Sequence, residues 1–219
     1  MSEVPATNST PPSPTTPPAG KGQRVLTAVL WLGMISAILC VIGAKILFPH
    51  RDIPVLFTAA SYSLIDENGR PFSDVDLRDK PYVCDFIFTT CGSSCPLMSS
   101  KMSALQPKMP EKVNFVSFTV DPEHDTPAAL KEYAKQYHAD ESRWHLLTGT
   151  SKQMSAVAEQ MKISAQPATA TSTIVHSDRF LLIDGDGNVR GVYDSNDQQS
   201  MDKLIADAKY IADSRGSRG

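Results

Sequence analysis

PYVCDFIFTTCGSSCPLM, residues 81–98, decides how the rest of the chain is read. Pro81 to Thr89 is a nearly continuous apolar run, the pattern of a strand buried on both faces in the middle of a sheet. Cys91 and Cys95 follow it, and from about Pro96 good helix formers continue until Pro107, proline being tolerated in a first helical turn. The two thiols therefore fall between the C-terminal end of a central strand and the start of a helix, where the sites of open α/β sheets collect.

Working outward, SYSLIDENGRPFSDVDL (61–77) predicts two strands around an Asn68-Gly69 turn, with Pro71 opening the second arm. Downstream, VNFVSFTV (113–120) predicts a strand, and Asp125-Thr126-Pro127 a helix start in which Thr126 caps and Pro127 takes the first helical position. Leu130, Tyr133, Ala134 and Tyr137 then recur at helical spacing. WHLLTG (144–149) predicts a short strand, 151–161 a helix, RFLLIDGDGNVRGVYD (179–194) a hairpin, and 198–212 a closing helix. Strands alternating with helices, plus a terminal hairpin, predict an α/β domain whose central sheet carries helices on both faces. The sequence holds no internal repeat.

The N-terminal part differs in kind. Residues 1–24 are rich in Pro, Ser and Thr and contain no aromatic side chain, so a disordered tail is expected. VLTAVLWLGMISAILCVIGA (25–44) then runs without a charge, long enough as a helix for the roughly 30 Å hydrocarbon core of a bilayer. The organisation expected is a tail over 1–24, a single transmembrane anchor over 25–45, a linker over 46–54, one folded domain over 55–213 and a short tail over 214–219. Lys21 and Arg24 precede the span and Lys45 alone follows it, which favours a cytoplasmic N-terminus and an exported domain. The run exceeds the h-region of a cleaved signal peptide, and Leu39 stands before Cys40 where a lipoprotein cleavage site needs a small residue.

The net charge is -3 for 219 residues, and the part beyond the span carries the acidic excess, so no basic footprint for nucleic acid exists. Of four cysteines, Cys40 lies in the span and Cys84 in the central strand, leaving a single pair rather than a disulfide framework.

Helical Cα atoms four apart lie about 6 Å from each other, within the range a disulfide tolerates, so Cys91 and Cys95 are open to a disulfide, to a shared metal, or to neither. A first-turn Cys95 would have its thiolate favoured by the helix dipole. Spacing decides nothing further, since three intervening residues are one more than in C-x-x-C. A third group is needed, and the histidines are His50, His124, His138, His145 and His176. His176 stands apart because it precedes the terminal hairpin, from where a loop can reach the strand-end face. Two thiolates and an imidazole suit copper, as Cu(I) or Cu(II), and equally an open zinc site. Asp121, Glu123 and Asp125 are read as acidic residues at a helix start. Asp184, Asp186 and Asn188 resemble the opening of a calcium loop, but Val189 and Ser195 stand where glycine and glutamate are required, so DGDG is read as a hairpin turn. Met98, Met102 and Met109 are expected in the core.

DFIFTTCGSSCPLM, VSFTVDPEHDTPAALKEYAKQY, WHLLTG and HSDRFLLIDGDGNVRGVYD, in this order over about 55–213 and behind one span, resemble the Sco/SenC family of membrane-anchored copper proteins. The resemblance implies a thioredoxin-like fold, copper as the bound metal, and Cys91, Cys95 and His176 as its ligands, with Cys91 and Cys95 also forming a redox-active disulfide. It implies a metallochaperone that serves the copper centre of cytochrome c oxidase, its partner being the copper-bearing oxidase subunit or another periplasmic copper protein, and assigns no catalytic residue. A thiol-disulfide oxidoreductase that keeps a partner's cysteines reduced is the alternative function; a peroxide-reducing enzyme would leave His176 without a task. Gly92 departs from the proline that commonly follows the first cysteine in the family. The location expected is a bacterial inner membrane with the domain in the periplasm, the mitochondrial inner membrane being the alternative.

Overall fold

A computed structural model describes residues 21–47, 53–92, 94–162 and 178–216. The chain divides into two units, Met1–Arg51 and Asp52–Gly219. The first contains helix α1 (Lys21–Leu47), on which Leu30, Trp31, Leu32 and Leu39 are all more than 60% exposed. Among the described residues no helix is long and apolar enough to cross a membrane. The span expected over 25–45 is thus not found among them.

The second unit is built on one sheet. Its strands are β1 (Phe57–Thr58), β2 (Ser63–Asp66), β3 (Pro71–Ser73), β4 (Tyr82–Ile87), β5 (Asn114–Thr119), β6 (Trp144–Thr148), β7 (Arg179–Ile183) and β8 (Asn188–Asp194), in the spatial order β1-β8-β7-β4-β5-β6-β2-β3. β4, β5 and β6 pair in parallel, while the remaining pairs are antiparallel. β4 is buried at every position, as its apolar run predicts. Helices α2 (Ser94–Leu105) and α3 (Pro127–Gln136) make the parallel crossovers, and α4 (Ser151–Gln160) and α5 (Gln198–Gly216) follow β6 and β8.

Alternation along the strands separates two core layers. Val83 and Ile87 of β4 face Cys95, Met98 and Met102 of α2, Leu130 of α3 and Leu204 of α5. Cys84 and Phe86 face the other way, toward Met154 and Val157 of α4 and Leu64 of β2. The fully buried Met98 and Met102 thus pack the core, as expected.

Local chemistry explains the element ends. Thr126 and Thr150 accept backbone N–H bonds from Ala129 and Gln153 and cap α3 and α4. The β2–β3 and β7–β8 turns share one device: an aspartate carboxylate closes each loop, Asp66 accepting from the amides of Asn68 and Arg70, Asp184 from those of Asp186 and Asn188. Gly69 and Gly187 supply the positive φ, 74° and 78°, that these turns require. Asp184 also pairs with Arg190 at 2.8 Å, so the calcium-like pattern works as a turn lock.

Candidate metal centre

The strand-to-helix junction delivers both thiols to one spot. β4 ends at Ile87, the amide of Cys91 turns back to the carbonyl of Phe88 at 3.2 Å, and α2 begins at Ser94. Cys95 lies in the first helical turn with no exposed surface, and Cys91 is 8% exposed. Both are free thiols and belong to one buried cluster. Two soft sulfur donors brought together at the mouth of a helix make a donor pair that fits copper or zinc.

The electrostatics run opposite to the sequence expectation for Cys95. Burial, reinforced by the neighbouring Cys91 thiol, pushes the Cys95 thiol well above its ordinary range, and a backbone hydrogen bond from Phe88 opposes this only in part. Desolvation outweighs the helix end. The Cys95 sulfur is therefore held as a protonated thiol at neutral pH, and a metal must displace that proton to bind it.

Beneath the thiols the same core layer contains a carboxyl that the sequence reading passed over. Asp85, between Val83 and Ile87 on β4, is fully buried, and among the described residues neither of its oxygens has a hydrogen-bond partner. Ser117 is its register partner on β5. That hydroxyl accepts from Trp144 Nε1 at 3.0 Å and misses bonding geometry with Asp85, so its dipole offsets only part of the burial penalty. Burial pushes the Asp85 carboxyl up to about 7, and its charge is felt at Cys95 and Tyr133.

The histidines sort by position. His124 is exposed and bonds Asp121 at 2.9 Å, which raises its pKa. His138 ends α3 with φ 52°. His145 stacks on Phe72 at 4.5 Å, on the sheet face opposite the cysteines, because its neighbours Trp144 and Leu146 face them; burial holds its pKa down. His50 and His176 lie outside the described residues. Among the described residues no group of three or more His, Cys, Asp or Glu side chains could hold a metal ion, so the structure brings together two of the three expected ligands. Asp178, the first described residue after His176, is held in place: Lys101 of α2 donates to Asn196 at 2.8 Å, and Asn196 donates to Asp178 at 3.1 Å.

The chain is similar to known proteins. Residues 54–212 match the SCO1/SenC family. A SCO1 protein homolog of Bacillus subtilis is 30% identical over 187 residues, 82% of this chain and 94% of that one. The structure of BsSco, a member of the Sco family of cytochrome c oxidase assembly proteins in which a disulfide switch was identified, superposes with a TM-score of 0.66 at 28% identity, covering 74% of this chain and 98% of that one. Copper-bound ScoI of Bradyrhizobium japonicum gives 0.61 at 26% identity, over 70% and 99% of the two chains.

Proposed function

The chain belongs to the SCO1/SenC family, and from that premise we propose that it is a copper-binding metallochaperone that serves the copper centre of cytochrome c oxidase. The observation that carries this reading is that the strand-to-helix junction brings the free thiols of Cys91 and Cys95 into one buried cluster. These two sulfurs would hold the cargo copper together with His176. What supports His176 is its place two residues before Asp178, which Asn196 ties to the helix that carries Cys95; two residues span about 7 Å at most. Loading requires the reduced pair and releases thiol protons, while delivery proceeds by ligand exchange with a partner's copper site. The same pairing of thiols supports a second role in which Cys91 and Cys95 cycle between dithiol and disulfide, keeping a partner's cysteines reduced.

The domain borders proposed are 1–24, 25–45, 46–54, 55–213 and 214–219. Anchoring through 25–45 is supported by the uncharged run 25–44 within it and by the unbroken helix α1 across it. It places the copper domain on the periplasmic side of a bacterial inner membrane.

A copper titration of the reduced full-length chain in detergent tests the reading. One copper per chain is expected, with thiolate-to-copper absorption in the Cu(II) form that Cys91→Ser or Cys95→Ser abolishes. Binding that is indifferent to His176→Ala would remove the third ligand, and a chain that binds no copper yet rapidly reduces a partner disulfide would be an oxidoreductase.

A further inference from the structure

Asp125 has no part in the site as read so far. It ends the DPEHD stretch, where the sequence pattern makes it one of several acids at a helix start, yet the cap of α3 is Thr126 and the Asp125 side chain turns inward. It is fully buried. Both of its oxygens accept from the backbone N–H of Thr89, at 3.1 and 3.2 Å, and the hydroxyls of Thr89 and Thr119 donate to them as well. The Thr119 hydroxyl in turn accepts from the amide of Asp121 at 3.0 Å, and the Asp125 amide donates to the carbonyl of Asp121 at 2.9 Å. One carboxylate thus joins the end of β4, the end of β5 and the entry to α3.

Thr89 is two residues before Cys91. On its other side Cys91 is followed by Gly92, where a Cβ would meet nothing within 4 Å among the described residues. The cysteine loop is tied to Asp125 on its strand side through the Thr89 amide and hydroxyl. From this clamp we infer that Asp125 is the positioning residue of the dithiol: it fixes Thr89 and thereby the place of the Cys91 sulfur relative to Cys95. The inference rests on the reading of Cys91 and Cys95 as the working pair and assigns Asp125 no contact with the metal.

A carboxylate that accepts from several donors at once cannot be replaced by an amide, because one of the two oxygens becomes a donor facing other donors. Releasing Thr89 widens the range of positions open to the Cys91 sulfur. This lowers the effective concentration of one thiol at the other, which weakens both a chelate and a disulfide.

The test uses the full-length chain with four substitutions. Asp125→Asn and the milder Thr119→Val loosen the clamp; Thr119→Ser keeps the hydroxyl; Asp207→Asn disturbs a buried carboxylate elsewhere, bonded to Tyr193 at 2.9 Å. Asp125→Asn is expected to raise the copper dissociation constant about tenfold, to move the thiolate-to-copper band, and to make the dithiol/disulfide midpoint more oxidising by about 30 mV, the tenfold equivalent for a two-electron couple. Thr119→Val should shift each quantity in the same direction by less, and Thr119→Ser should restore wild-type values. Asp207→Asn should lower the melting temperature while leaving band and midpoint in place. A band and midpoint in Asp125→Asn that match the Asp207→Asn control overturn the inference. If the wild-type chain binds no copper, the copper reading fails separately, and the midpoint alone decides whether Asp125 positions the pair.

Discussion

The middle of β4 and its C-terminal end each bury an aspartate completely, and the two are treated in opposite ways. Asp125, reaching the end of the strand from the following crossover, is surrounded by donors from Thr89 and Thr119. Asp85, in the centre of the strand, meets none among the described residues and has its carboxyl pushed up to about 7. Burial alone does not fix the state of a carboxyl; the donors supplied to it do. The strand end is therefore a rigid anchor under the cysteine loop, and the strand centre is a titrating group in an apolar layer.

The largest break in this contrast is Asp125→Ala. It leaves a buried amide and two hydroxyls without an acceptor, and about 3–5 kcal/mol of stability should be lost in urea unfolding. The next concerns Asp85. Its folded pKa lies above its unfolded value, so the folded chain binds more protons than the unfolded one between the two. The contribution of this group to stability is complete below pH 4 and falls away as pH rises toward 7, by roughly 2–4 kcal/mol. Asp85→Asn should flatten that part of the stability profile, and a slope that survives the change would place the titration elsewhere. Ser117→Ala should cost about 1 kcal/mol through the freed Trp144 N–H and move the midpoint of the Asp85 titration upward. The smallest effect separates neighbours: Thr126→Ala should cost about 1 kcal/mol as a lost helix cap and leave the dithiol midpoint unchanged, whereas Asp125→Asn, one residue earlier, moves it.

What could be read from the sequence is what local pattern encodes. The buried strand before Cys91, the Thr126-Pro127 helix start, and both hairpins rest on runs, caps and turn residues within a few positions of each other, and the structure places them where these predict. β1, two residues long and paired to β8, has no run to announce it. Neither aspartate was legible in its role. Asp85 sits inside an apolar stretch whose hydrophobicity hides it, and Ser117, the residue that fails to bond it, is on a different strand. Asp125 has a sufficient local explanation in the helix that follows, while the residue it holds is 36 positions upstream. At Cys95 the dipole argument used the right position in the helix but lacked the depth of burial, which is the larger effect.

The bond from Trp144 to Ser117 gives the protein an optical gauge of its own core. Trp144 is 1% exposed, its indole N–H ends on the register partner of Asp85, and it shares a core layer with both thiols. The second tryptophan, Trp31, belongs to α1 and is 61% exposed. With Trp31→Phe, emission comes from Trp144 alone, and its wavelength and quenching follow the Asp85 proton and the occupancy of the sulfur pair without any attached dye.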